Sequence, residues 1–197
     1  MGKSIGNKFL SVLIGFVLLC LFLFNSVEAE ISKKDWQVLS GKWSFSALHV
    51  KGFADEEDGI LLYKGGEFKN FSCSVRVKPV NREGSLILRA LDTKNCYLLI
   101  FLPEGANEGR TGIALAKRVN GKETYFAGIA TKYKINQWVN VKTIFKGENM
   151  KVYLNSKLVL TSKDNIYKSG KVGLRIYGKK PKSCTTFYED FKIEAIK

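Results

Sequence analysis

The chain has 197 residues, 45% of them hydrophobic and 12% aromatic, with 18 glycines and 3 prolines. That mixture buries a core and excludes wholesale disorder, collagen-like repeats and Pro-rich linkers. Lys and Arg number 32 against 18 Asp and Glu, a formal charge of +14, and a lone histidine, His49, excludes His-cluster metal sites and argues against triad chemistry.

The N-terminus reads as an export signal. Lys3 and Lys8 form a basic start, Phe9 to Phe24 is an uncharged apolar run, and Val27-Glu28-Ala29 offers small residues to a signal peptidase. Cleavage is expected after Ala29, which makes residues 1–29 the signal and 30–197 one mature domain. The apolar run is short for a bilayer span of roughly 20 residues; an uncleaved N-terminal anchor is the alternative. Leu19 precedes Cys20 where a lipobox wants a small residue, which argues against lipidation. The expected location is the periplasm, the cell envelope or the exterior. Removing residues 1–29 takes Lys3, Lys8 and Glu28 and leaves 30 basic and 17 acidic residues, a charge of +13. Such a charge on an exported protein points to an anionic surface or polymer. Scattered lysines, 26 against 6 arginines over the full chain, also serve solubility alone.

Along the mature chain the period is two. Trp36–Val50, interrupted, and Gly59–Lys64 read as the first strands. In Phe71-Ser72-Cys73-Ser74-Val75-Arg76-Val77-Lys78 the odd positions are apolar and the even ones polar, a half-buried strand with Phe71, Cys73, Val75 and Val77 facing one way. Asn81 to Gly84 and Asp92 to Asn95 are expected to close hairpins around Ser85–Leu91. Cys96–Leu102 is apolar throughout, as a central strand covered on both faces would be. Asn120-Gly121 turns Gly112–Val119 into Lys122–Ile129, the strongest short hairpin signal. Trp138–Phe145, Met150–Leu154 and Lys157–Thr161 follow, joined at Lys146–Asn149 and Asn155-Ser156. Gly170–Tyr177 and Thr185–Ile196 end the series. About a dozen short antiparallel strands without a helical stripe predict an all-β, two-sheet sandwich.

Three cysteines remain after cleavage: Cys73, Cys96 and Cys184. If Phe68–Lys78 pairs with Ser85–Leu91, and that strand with Cys96–Leu102, Cys73 and Cys96 stand two strand spacings of about 4.8 Å apart. That exceeds disulfide reach. Buried free thiols are expected, with a Cys184 bridge to one of the others as the alternative.

Trp36-Gln37-Val38, Gly41-Lys42-Trp43, Asp58-Gly59-Ile60-Leu61, Gly84 to Arg89, Asp92 to Tyr97, Lys117 to Gly121, Gln137 to Lys142, Val152 to Asn155, Gly170 to Arg175 and Tyr188-Glu189-Asp190-Phe191 form a familiar series. In this order they resemble the concanavalin A-like lectin/glucanase superfamily, and within it the laminin G-like and 3-keto-disaccharide hydrolase-like jelly rolls of exported proteins. The resemblance implies a concanavalin A-like jelly roll over the whole mature domain. It leaves function open, because the superfamily holds lectins, glycosidases and adhesion modules. Trp36, Trp43 and Trp138 are expected to fill the core. Tyr188 and Phe191 fall on opposite faces of the last strand, so at most one faces inward.

The superfamily's retaining glucanases place two glutamates on one strand, as Glu-x-Asp-x-x-Glu or similar, because retention needs carboxyls about 5–5.5 Å apart. That spacing does not occur here. The acidic run Asp55-Glu56-Glu57-Asp58 is contiguous in a loop and reads as solvated charge, and Glu189-Asp190 are adjacent on opposite faces. The resemblance also implies calcium on loop carboxylates, for which Asp55 to Asp58 are the candidates; no other cofactor is expected.

The expected function is therefore a non-catalytic module binding carbohydrate, including an anionic envelope polysaccharide, with no nucleic acid partner. Arg89, Tyr97, Lys117, Tyr125, Arg175 and Tyr177 are the candidate ligand-binding residues. They lie where the relatives place concave-face residues, and their polar ends do not enter a core unpaired. A glycoside-acting enzyme of the 3-keto-disaccharide hydrolase-like group is the alternative; a polyanion binder and a structural adhesion module are the two others. A four-residue loop, Asp92 to Asn95, pairs Leu91 with Cys96 and puts Arg89 and Tyr97 on opposite faces. A five-residue loop pairs Arg89 with Tyr97 directly, since a one-residue slip flips every side chain. Both registers stay open from sequence.

Overall fold

Alternating side chains decide which face a strand buries; of the fourteen strands here, Gly84–Ala90 and Cys96–Leu102 are buried on both faces. The computed structural model describes residues 32–104, 111–178 and 182–197. The strands are β1 (Trp36–Ser40), β2 (Lys42–Phe45), β3 (Val50–Ala54), β4 (Gly59–Tyr63), β5 (Phe71–Pro79), β6 (Gly84–Ala90) and β7 (Cys96–Leu102), then β8 (Gly112–Val119), β9 (Lys122–Ile129), β10 (Val139–Lys146), β11 (Asn149–Leu154), β12 (Lys157–Lys163), β13 (Lys171–Ile176) and β14 (Cys184–Ala195). They form two seven-stranded sheets, ordered β1-β4-β13-β6-β7-β8-β9 (sheet A) and β12-β11-β10-β5-β14-β3-β2 (sheet B). Every pairing is antiparallel. This is the two-sheet jelly roll expected from sequence.

The core lies between the sheets. Leu86, Leu88, Tyr97, Leu99 and Phe101 of sheet A meet Phe71, Val75, Val141 and Phe145 of sheet B, all buried. Phe71 and Phe145 stack with centroids 5.2 Å apart. Each such aliphatic or aromatic side chain contributes about 1.5–3 kcal/mol relative to exposure. The outer face of sheet A is apolar too: Ile87, Leu98, Ile100 and Leu102 are buried there. β7 is thus covered on both faces, as its unbroken apolar run predicts.

Four expectations are corrected. Asn81 to Gly84 is a crossover between sheets, because β5 pairs with β10 and β14 while β6 pairs with β7 and β13. Alternation fixes which face is buried and leaves the choice of sheet to tertiary packing. Cys73 and Cys96 therefore lie in opposite sheets; these two and Cys184 are free and buried, for a different reason than the assumed register. Between β6 and β7 the register is Leu88 opposite Tyr97, one residue beyond the five-residue loop and two beyond the four-residue one. In β14 a bulge at Asp190 (φ +53°) adds a residue, so buried Tyr188 and half-buried Phe191 both face inward. Phe191 meets Trp36 edge-on at 4.8 Å. Trp138 precedes inward Val139 and lies on the outer face of sheet B, half-buried under Arg76 and Lys78; Trp36 is in the core and Trp43 packs against it.

Candidate functional site

On the outer face of sheet A, hairpin geometry brings opposite charges together. Asn120 (φ +51°) and Gly121 (φ +83°) make a two-residue turn that places Arg118 of β8 opposite Glu123 of β9. Arg118 Nε donates to Glu123 Oε2 at 3.1 Å, and its Nη2 donates to Asp58 Oδ2. Asp58 stands between β3 and β4. It also accepts both donors of an Arg175 fork, at 2.8 Å from Nε and 3.2 Å from Nη2. Arg175 Nη1 donates to Glu83 Oε1 and to Ser85 Oγ, each at 3.3 Å.

Three carboxylates and two guanidiniums thus converge. Arg175 is 1% exposed and Glu83 4%. Burial alone pulls the Arg175 guanidinium toward neutrality, but Asp58 and Glu83 outweigh it and its pKa rises. Burial raises the Glu83 carboxyl, opposed by Arg175. Bidentate guanidinium–carboxylate pairing fixes geometry as well as charge. Beside the cluster opens a cavity of about 540 Å³, lined by Ser40, Glu57, Asp58, Ile60, Lys94 and Arg118 among others. Its walls offer carboxylate acceptors, cationic donors and an aliphatic floor. That is the chemistry needed to hold a small polyhydroxylated ligand.

The six residues expected at the site divide evenly. Arg175 belongs to the cluster, and Tyr177 lies against it, its ring 5.1 Å from the Arg175 guanidinium and 4.9 Å from that of Arg82. Tyr125, 42% exposed, sits opposite Ala116 on the same outer face. The other three turn inward. Arg89 and Tyr97 are 1% and 0% exposed, so neither meets a ligand at the surface, which corrects the expected groove. Arg89 takes φ +47° at a bulge between β6 and β13, which swings its side chain into the sandwich. There it donates to the carbonyls of Lys69 (2.6 Å), Gly147 (2.8 Å) and Tyr167 (3.0 Å), tying three loops. Tyr97 Oη donates to Asp164 Oδ1 at 2.6 Å, and Lys117 pairs with Asp164 Oδ2. Burial raises the Asp164 carboxyl, but Lys117 and Tyr97 outweigh it and hold it below the usual range.

Sequence reasoning missed Glu83, Arg118 and Glu123, and offered Asp58 only as a calcium ligand, not as a partner of arginines. Arg118 and Glu123 had a signal, since a two-residue Asn-Gly turn dictates that they face each other. Asp58 had none, because its contiguous neighbours made it look solvated. Asp55, Glu56 and Glu57 line a separate cavity of about 510 Å³ with Gly41, Lys42 and Phe53. Among the described residues no group of three or more His, Cys, Asp or Glu is gathered to hold a metal, and no helix is long and apolar enough to cross a membrane.

Known structures share this fold. The carbohydrate binding module CBM66 from Bacillus subtilis superposes with a TM-score of 0.71 at 21% identity, over 82% of this chain and 96% of that one. A Bacillus subtilis protein with a galectin-like fold gives 0.66 at 16% identity, over 83% and 91%. A glycosyl hydrolase candidate from Parabacteroides distasonis gives 0.62 at 10% identity, over 83% and 89%. In sequence, the chain is 25% identical over 145 residues to the levanase of Bacillus subtilis (strain 168), which covers 72% of this chain and only 21% of that enzyme. The model of the 3-keto-alpha-glucoside-1,2-lyase-like domain matches residues 23–194, and the chain belongs to that family.

Proposed function

We propose that this protein is an exported, non-catalytic carbohydrate-binding module whose ligand enters the cavity at Asp58, Lys94 and Arg118. The convergence of three carboxylates and two arginines beside that cavity carries the reading. Asp58 and Glu123 retain lone pairs for sugar hydroxyls after serving the arginines, since an ionised carboxylate accepts about four hydrogen bonds. Lys94 and Arg118 donate in return, and Ile60 supports the apolar side of a sugar ring. The likeness to CBM66 and the match to a fifth of a levanase support a sugar ligand and make levan the first one to test. Export is proposed on the N-terminal segment alone. The test is a glycan panel that includes levan, screened with and without calcium, followed by calorimetric titration of the parent and Arg118→Ala. A tenfold or greater loss in the variant supports the site; equal affinity places the sugar elsewhere.

A second reading, an enzyme acting on glycosides, is favoured by the Glu83 carboxyl, raised by burial beside Asp58 and Glu123. Sugar release that stops in Glu83→Gln while binding persists would support it.

A further inference from the structure

The outer face of sheet B has a different character. Its outward positions carry Lys51 on β3, Arg76 and Lys78 on β5, Lys142 and Lys146 on β10 and Lys151 on β11. The carboxylates on that face lie on β14, between β5 and β3, and are engaged: Glu189 and Asp190 hold Arg76, at 2.9 and 3.6 Å, and Glu194 holds Lys192 at 2.7 Å. Among the described residues, Lys51, Lys78, Lys142, Lys146 and Lys151 have no carboxylate at ion-pair distance.

Aromatic rings orient part of this array. Lys51 lies opposite Phe187, and Phe187 opposite Lys78, one row across three strands. Both ammoniums stand over the Phe187 ring, at 5.8 and 4.7 Å. Lys78 and Arg76 also cover Trp138, at 4.9 and 5.2 Å. A cation over an aromatic face gains about 0.5–1 kcal/mol at an exposed site. These cations are therefore held upright on a rigid sheet, and Arg76 and Lys78 recur at about 6.8 Å along β5. A fixed, regularly spaced array of one sign suits a linear polymer of the other sign.

We infer that the outer face of sheet B binds an acidic polysaccharide, on a surface separate from the sugar cavity of sheet A and independent of it. Two other classes of polyanion fit less well. No large apolar side chain is exposed on β5, β10 or β14 to enter a lipid surface. The Trp138 and Phe187 faces are covered by cations, so they do not serve as platforms for bases.

The test is affinity electrophoresis of the purified protein in gels containing polygalacturonate. The parent is compared with Lys51→Gln/Lys78→Gln/Lys142→Gln and with a control, Lys33→Gln/Lys122→Gln/Lys132→Gln, which removes the same charge elsewhere. Affinity falls at least tenfold in the first and less than twofold in the second. In the parent it also falls steeply as salt rises, because exposed charges are screened within about 8–10 Å. Thermal melts report the fold of each variant. A shift of the Trp138 indole proton on adding polygalacturonate to the parent is a readout that needs no variant. Asp58→Ala, which disables the sheet A cavity, leaves polygalacturonate binding unchanged, so failure of one surface is distinguishable from failure of the other. Equal losses in both triple variants, or an unmoved Trp138, overturn the inference. So does tighter binding to phosphatidylglycerol vesicles or to single-stranded DNA than to polygalacturonate.

Discussion

Two buried polar clusters occupy sheet A, one on each face, and they do opposite work. Inside, Arg89 spends its donors on the carbonyls of Lys69, Gly147 and Tyr167, while Asp164 is enclosed by Tyr97, Lys117 and the Ile166 amide. Outside, Asp58, Glu83 and Glu123 share two arginines beside an open cavity. The inner cluster satisfies its own groups and fastens loops. The outer one keeps acceptors in excess of donors where a ligand can reach them. Burial of a polar residue marks neither role; spare hydrogen-bonding capacity beside a cavity marks the second.

Substitutions separate the two. Arg89→Ala strands three carbonyls and is expected to cost about 3 kcal/mol, lowering Tm by about 6–12 °C in a domain of this size. Sugar affinity of the folded fraction stays at the parent's value. A calorimetric melt beside a titration reads both; lost affinity in an otherwise stable protein would break the division. Arg118→Ala should weaken sugar binding about tenfold, roughly 1.4 kcal/mol, and lower Tm less than Arg89→Ala does, since the pairs it breaks with Asp58 and Glu123 are partly exposed. Tyr97→Phe deletes the hydrogen bond donated to Asp164 and the one accepted from the Tyr167 amide, about 1–2 kcal/mol together; Tm drops by about 2–8 °C and binding is unaffected.

The inner cluster also makes a pH prediction. The folded Asp164 carboxyl titrates below its ordinary 3.8, so the unfolded chain binds more protons in that window. Its contribution is complete above about pH 4 and disappears as pH falls through the folded value. Urea midpoints of the parent and Asp164→Asn should therefore differ at pH 6 and converge as pH falls below 3.8.

The smallest effect concerns the thiols. Burial pushes Cys73 up to about 12, and Cys96 and Cys184 to about 11. Because the thiolate is the reactive form, the native protein should resist thiol reagents at pH 8. In denaturant without reductant, Cys73, Cys96 and Cys184 should all react.

The division between the clusters also shows what the sequence carried. Strand extents were readable: Cys96–Leu102, Gly112–Val119 and Lys122–Ile129 stand where alternation and the Asn-Gly turn put them. Positive-φ bulges were not. At Arg89 the inserted residue turns a groove candidate into an interior clamp, and at Asp190 it brings Phe191 into the core beside Tyr188. A single residue in the left-handed region inverts a period-two pattern downstream, and neither Arg nor Asp announces it. Asp58 was hidden for another reason, since its partners Arg118 and Arg175 arrive from strands 60 and 117 residues away.

Sugar binding is assigned to the outer cluster of sheet A. Its most direct test is an amide chemical-shift titration of the labelled protein with the sugar selected from the panel. Shifts are expected only at Ser40, Glu57, Asp58, Lys94, Arg118 and their neighbours, with Tyr97 and Asp164 still. Shifts centred on Tyr97, Lys117 and Asp164, with Asp58 and Arg118 unmoved, would contradict it.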